Sequence, residues 1–156
     1  MAPTEIWFYH LQAEPLARVL PTLVEKSLAR GWKAVIQAVT EERLGALDDV
    51  LWTYSDESFL AHGTAREADP QMQPVYLTTG TDNPNGAVIR FCVEGAEVAP
   101  ALAASDPAYE RLIVLFDGND PDQLEGARAQ WKLLKGQGHQ LAYWQESAAG
   151  RWERKA

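Results

Sequence analysis

Residues 109–121 read YERLIVLFDGNDP, and this stretch decides the fold class. Every residue from Leu112 to Phe116 is apolar, which is typical of a strand buried on both faces of a parallel sheet. Asp120 and Pro121 then supply a helix cap and a first-turn proline, so the pattern predicts a strand that leads into a helix. Strands that alternate with helices are the units from which layered α/β domains are built.

The same alternation extends in both directions along the chain. Predicted strands cover residues 4–11, 32–39, 74–79, 87–95, 109–116 and 139–146, and predicted helices cover 15–31, 41–52, 100–105 and 120–137. We therefore predict a three-layer, doubly wound α/β fold with a mostly parallel sheet, in one domain over residues 1–156. Its buried strands should be 32–38, 87–93 and 109–116.

Several local signals refine this prediction. Gly31 is placed to end the first helix, and Thr40 to cap the second. Pro21 lies within the first helical pattern, so it should either kink that helix or mark its first turn. Asn85-Gly86 predicts a turn of the kind found in hairpins. Residues 53–72 read as a long loop, and loops of that length are often functional.

Composition indicates an ordinary globular protein, because 46% of the residues are hydrophobic and 23% are charged. No apolar run approaches the roughly 18 residues that span a membrane, and the N-terminus does not resemble a signal peptide. The single cysteine, Cys92, lies in an apolar run and should be a buried, unreactive thiol. These features lead us to expect a cytoplasmic protein.

Signatures of catalysis and of cofactor binding are weak. Neither a P-loop nor a dinucleotide-binding glycine motif occurs, so the fold would be nucleotide-binding-like without a phosphate loop. His10, His62 and His139 are far apart in sequence, and no zinc-type ligand spacing is present. Asp117 and Asp120 follow a buried strand and leave a nucleotide- or metal-dependent hydrolase as an alternative, although cap and turn roles explain them more simply. We therefore predict no cofactor and no metal.

Charge is distributed unevenly. The formal net charge is −8, yet residues 128–156 carry six Lys and Arg against two Glu. On a helix over residues 120–137, Arg128, Lys132 and Lys135 fall within a sector of about 60°. An apolar arc adjoins this sector and is formed by Leu124, Ala127, Trp131 and Leu134.

Two interpretations of this helix remain open on the residues alone. One is a core stripe flanked by cations that favour the helix C-terminus. The other is a pocket for a peptide that is both acidic and hydrophobic. Direct binding of single-stranded DNA by the basic end with Trp144 and Trp152 is a weaker possibility, because the rest of the chain is acidic.

Five stretches in combination resemble the chi subunit family of the bacterial DNA polymerase III holoenzyme. They are FYHL (8–11), LARGWKAVI (28–36), ALDDVLWTYSDESFLAHG (46–63), NPNGA (83–87) and LFDGNDPDQLEGARAQWKLLKGQGHQLAYWQ (115–145). The resemblance runs nearly end to end. It implies a non-catalytic adaptor of the clamp-loader assembly that binds the acidic, Phe-ending C-terminal tail of single-stranded-DNA-binding protein.

The resemblance also implies where that tail binds. The family pattern R-x-x-[YW]-K falls on Arg128, Trp131 and Lys132. Trp131 departs from the more familiar Tyr, and Leu124 stands where some members carry a further basic residue. We expect Lys135 to compensate for that missing charge.

A second interface is implied with psi, the small subunit that joins chi to the clamp loader. The aromatic residues that serve it in the family correspond to Trp52 and Phe59. Two large aromatic side chains in a polar loop suit exposed anchors. The alternative is that both fold back and pack within the loop.

Overall fold

A computed structural model of the chain describes residues 4–53, 62–64, 70–104, 109–147 and 151–156, with the backbone alone at 52–53, 62–64 and 70. The strands are β1 (Glu5–Leu11), β2 (Ala34–Gln37), β3 (His62–Thr64), β4 (Val75–Thr78), β5 (Ile89–Val93), β6 (Arg111–Asp117), β7 (Gln140–Glu146) and β8 (Trp152–Arg154). The helices are α1 (Leu16–Ala29), α2 (Glu41–Thr53), α3 (Val98–Ala104) and α4 (Pro121–Gly136), with a 3₁₀ turn at Pro70–Met72.

Within the described ranges, one sheet of eight strands organises these elements. Its order is β3-β4-β2-β5-β6-β1-β7-β8. Every neighbouring pair is parallel except β7 with β8, which is antiparallel. Parallel neighbours require crossover connections, and α1, α2, α3 and α4 lie in those that follow β1, β2, β5 and β6. The predicted α/β class with a mostly parallel sheet is confirmed.

Helices cover both faces of the sheet. On one face, Leu20 of α1 and Leu47 of α2 pack in a core with Ile36 and Phe91. On the other face, α3 and α4 form a second core with the opposite side chains of the central strands, and Leu134 is fully buried there. The three-layer prediction is therefore confirmed. β2, β5 and the centre of β6 are buried, as their apolar runs predict.

Strand alternation decides which side chains of β1 meet α4. Ile6 and Phe8 belong to the α3–α4 core, whereas Trp7 and Tyr9 pack against the α1–α2 core. In the parallel register Phe8 lies opposite Tyr143 of β7. Phe8 and Tyr143 are thus neighbours on the face that α4 covers.

The local signals are mostly confirmed. Gly31 has φ of +80°, a left-handed conformation that glycine adopts readily after a helix. The Thr40 hydroxyl accepts a hydrogen bond of 3.1 Å from the Arg43 amide and so caps α2. Pro21 lies inside α1, which already begins at Leu16, so it does not mark the first turn.

Three features differ from prediction. Asn85-Gly86 forms a turn, with φ of +66° at Gly86, but no hairpin, because β4 and β5 both pair in parallel with β2 between them. The predicted loop 53–72 contains β3 and the 3₁₀ turn, and its other residues beyond Thr53 lie outside the described ranges. β8 has no counterpart among the predicted strands, because it is three residues long and is defined by its pairing with β7.

Arg90 is a fully buried charged residue in this core. Its guanidinium donates to Gln37 Oε1 at 2.7 and 2.9 Å and to the Tyr109 hydroxyl at 3.1 Å. It also donates to the carbonyls of Gly80 and Asp82 at 2.5 and 3.1 Å. A buried guanidinium needs all its donors satisfied, and these bonds do so. They also connect the turn after β4 to the sheet.

Cys92 is buried, as predicted, and burial raises the pKa of its thiol to about 11. Within the described ranges, no helix combines the length and the apolar character needed to cross a bilayer.

Candidate functional site

Helix α4 presents the basic side chains because its capped N-terminus and its apolar stripe fix its orientation. The Asp120 carboxylate accepts hydrogen bonds from the amides of Asp122 and Gln123 at 3.0 and 3.3 Å, with Pro121 in the first turn. Ala127 and Leu134 are buried against the sheet. The helix face that carries Arg128, Lys132 and Lys135 is consequently exposed.

A groove of about 630 Å³ lies where α4 meets the edge of the sheet. Its lining residues are Glu125, Arg128, Ala129, Trp131, Lys132, Tyr143, Lys155 and Ala156. Three of the four predicted tail-binding residues, Arg128, Trp131 and Lys132, therefore meet in one place. Lys135 lies about one turn further along α4 and is not among the lining residues.

Trp131 is held in a defined orientation by two other rings. It contacts Phe8 with a centroid distance of 5.3 Å and Tyr143 with one of 5.6 Å, both edge to face. The Tyr143 hydroxyl lies 2.7 Å from Nδ1 of His10, a hydrogen bond that fixes the phenol ring. Trp131 and Tyr143 remain half-buried, so their free surfaces form an aromatic floor in the groove.

The Arg128 charge influences both polar groups beneath this floor. Burial lowers the pKa of His10, Arg128 lowers it further, and Asp117 opposes the shift. Burial raises the pKa of the Tyr143 phenol, and Arg128 partly offsets that effect. Both groups are therefore neutral at pH 7. Among the residues that the structure describes, the cationic Arg128, Lys132 and Lys155 and the acidic Glu125 line the groove, so these side chains give it local positive charge on an acidic protein.

Sequence reasoning missed Tyr143, His10 and Lys155 as parts of this site. Tyr143 could have been found, because the alternation of β7 places it on the same face as Leu141, which packs in the α4 core. Predicting the role of His10 requires the register between β1 and β7. Predicting the role of Lys155 requires knowledge of β8, which carries no sequence pattern of its own.

The carboxylates of the alternative hydrolase serve local structure. Asp117 Oδ1 accepts a hydrogen bond of 2.9 Å from the Asn119 amide, and Asp120 caps α4. Within the residues that the structure describes, no group of three or more His, Cys, Asp or Glu is placed to hold a metal ion.

The buried carboxylate of Glu146, the last residue of β7, lies against the loop between β1 and α1. Glu146 is 1% exposed, and its Oε1 accepts hydrogen bonds from the amides of Gln12, Ala13 and Glu14 at 3.2, 2.8 and 2.9 Å. In nucleotide-binding α/β folds, the amides of this loop hold a phosphate. In this protein the same amides bind the side-chain carboxyl group of Glu146.

The aromatic side chains suggested for direct DNA binding lie on the other face of the sheet. Trp144 packs against Trp7 with a centroid distance of 5.9 Å, and Trp152 stacks on Tyr9 at 4.9 Å. All four side chains are half-buried. They contribute to the α1 side of the sheet and do not adjoin the groove.

Of the two predicted psi-binding residues, Trp52 lies in the last turn of α2, and only its backbone is described. Phe59 lies outside the described residues.

Comparison with known proteins adds a decisive observation. The family model described as "DNA polymerase III chi subunit, HolC" matches residues 3–142. The chain belongs to this family. The resemblance inferred from the sequence is thereby confirmed, and this chi-family chain is an accessory subunit of a replicative DNA polymerase.

Individual relatives agree. The chain is 29% identical over 111 residues to a "Probable DNA polymerase III subunit chi" of Rickettsia prowazekii (strain Madrid E), covering 70% of this chain and 67% of the relative. It is 26% identical over 141 residues to the "DNA polymerase III subunit chi" of Pseudomonas aeruginosa (strain PAO1), covering 88% and 94% respectively. The family match ends at residue 142, just before Tyr143 and β8.

Proposed function

We propose that the groove beside α4 binds the acidic, Phe-ending C-terminal tail of single-stranded-DNA-binding protein, and so ties the polymerase assembly to coated template. The observation that carries this proposal is the convergence of Arg128, Trp131 and Lys132 on one groove. Membership of the chi family supports it independently.

The groove suits such a tail chemically. Arg128 can accept a carboxylate on its planar fork of donors, and Lys132 adds a point charge beside it. The exposed surfaces of Trp131 and Tyr143 offer an apolar wall on which a phenylalanine ring packs. A ligand that is both anionic and aromatic therefore meets both halves of the site, whereas an anion alone meets only the cations.

Alanine substitutions along α4 test this site. Arg128→Ala should weaken binding of a fluorescein-labelled acidic, Phe-ended peptide about tenfold or more, because a charge-assisted hydrogen bond contributes roughly 1.5–3 kcal/mol. Lys132→Ala should weaken it less. Lys135→Ala should have a smaller effect, limited to long-range attraction that salt screens.

Lys26→Ala on α1 serves as a charge-matched control on the opposite face of the sheet. Fluorescence anisotropy at two salt concentrations would measure each affinity. If Arg128→Ala and Lys132→Ala both bind the peptide as the unmodified protein does, the cations are only a solvated helix face and the proposed site is wrong.

We propose further that the chain joins the clamp loader through psi, using Trp52 and Phe59. α2 packs on the face of the sheet opposite to α4, so a partner at the end of α2 leaves the groove accessible. Trp52→Ala or Phe59→Ala should abolish capture of psi in size-exclusion chromatography while the melting temperature stays unchanged. A large fall in melting temperature would instead identify these side chains as core.

We also propose that the chain has no catalytic site of its own and binds DNA weakly at most. The cap and turn roles of Asp117 and Asp120 and the occupation of the β1–α1 loop by Glu146 support this proposal. The net charge of −8 disfavours contact with phosphates. Turnover of ATP or DNA that follows the protein through purification and disappears in Asp117→Asn would contradict it.

A further inference from the structure

β8 completes the groove from outside the part of the chain that the family model matches. That match ends at residue 142, whereas Tyr143, Lys155 and Ala156 all line the groove. β8 is antiparallel to β7, and the ladder continues beyond it, because the Lys155 amide donates to the Tyr143 carbonyl at 2.7 Å. This bond places Lys155 beside the ring that forms the aromatic floor.

Lys155 lines the groove from the segment that follows β8. Its side chain is about half exposed, and its ammonium group pairs with Glu153 Oε2 at 3.1 Å. Arg128 and Lys132 belong to α4, so they supply positive charge from one wall only. Lys155 supplies it from a different element, and an ammonium group with three donors can bind a second carboxylate while it stays paired with Glu153.

We infer that β8 is a specificity element of this groove, and that Lys155 binds a second carboxylate of the acidic peptide that the α4 cations hold. The inference rests on the proposed function, because it concerns the same site. It adds a cation to a site in which Leu124, one turn before Arg128 on α4, packs against the core and carries no charge. The groove therefore binds an acidic segment through the cations of α4 and through Lys155 after β8.

Peptide affinity in Lys155 variants tests the inference on the full chain. Lys155→Ala should weaken binding of the Phe-ended acidic peptide about threefold, as expected for a partly exposed ion pair, and should reduce the salt dependence of binding. Arg151→Ala removes the same charge from the same segment but does not line the groove, so it should change affinity by less than about 1.5-fold. Glu153→Gln should tighten binding, because it removes a negative charge next to the carboxylate that Lys155 binds.

Zero-length carbodiimide cross-linking gives a second measurement. The reagent joins a carboxylate to an adjacent amine, so the peptide should become linked to Lys155, and mass spectrometry should locate the linkage. Arg128→Ala should lower the yield of that product.

The outcomes separate the two proposals. If Arg128→Ala weakens binding while Lys155→Ala equals Arg151→Ala and no Lys155 adduct forms, the role of β8 is refuted and the proposed function stands. If the unmodified protein does not bind the peptide, both are overturned.

Discussion

Trp131 contributes to stability and to binding, and its replacement should show both contributions. The structure gives it edge-to-face contacts with Phe8 and Tyr143 at 5.3 and 5.6 Å. Each such contact is worth about 0.5–1.5 kcal/mol. The ring is only half-buried, so the loss in Trp131→Ala should be below the 3–5 kcal/mol typical of a fully buried tryptophan. We expect about 2 kcal/mol, which in a chain of 156 residues lowers the melting temperature by about 4–8 °C.

Trp131→Phe separates the two contributions, because it keeps an aromatic ring in the same place. It should lose less than half as much melting temperature as Trp131→Ala, and it should retain most of the affinity for the acidic peptide. Trp131→Ala, assayed at about 15 °C where it remains folded, should bind about tenfold or more weakly. Differential scanning fluorimetry and peptide anisotropy give the two values.

Two results would refute this reasoning. An unchanged melting temperature in Trp131→Ala would mean that the ring is not packed against Phe8 and Tyr143. Unchanged peptide affinity in the folded variant would mean that the ring is not a wall of the binding site.

Three further predictions follow from buried groups. Arg90→Met should lower the free energy of unfolding by about 3 kcal/mol or more, because it leaves several buried acceptors without a donor. Urea titrations measure this, and a loss below about 1 kcal/mol would contradict the buried network. The depressed pKa of His10 means that the unfolded chain binds a proton more readily, so its contribution to stability should be lost as pH falls below about 6.5. His10→Gln should show a shallower loss over that range, and an unchanged pH profile would count against the burial of His10. The Cys92 thiol, with a pKa of about 11, should react with a disulfide reagent only after unfolding, and rapid labelling of the native protein would show that it is accessible.

The fold could be predicted from the sequence because the signals that decide it are local. The apolar run of β6 and the Asp120-Pro121 start of α4 need no knowledge of distant residues. Helical spacing likewise places Arg128, Trp131 and Lys132 close together, because all three belong to one helix and lie within about one turn of each other.

The features that sequence reasoning missed depend on contacts between distant segments. β3 and β8 are three residues each, and pairing with β4 and β7 defines them. Asn85-Gly86 has the local chemistry of a hairpin, but β2 inserts between the flanking strands, so tertiary pairing overrides the local signal. Glu146 reaches amides more than 130 positions earlier in the chain, and spacing alone cannot reveal such a contact.

The proposed groove binds a carboxylate and an aromatic ring of the same peptide. Isothermal titration of the purified protein with the acidic tail peptide, and with the same peptide lacking its terminal phenylalanine, tests this proposal most directly. We predict one-to-one binding of the complete peptide and a loss of affinity of about tenfold or more without the phenylalanine ring. Equal affinity for the two peptides, or binding of neither, would contradict it.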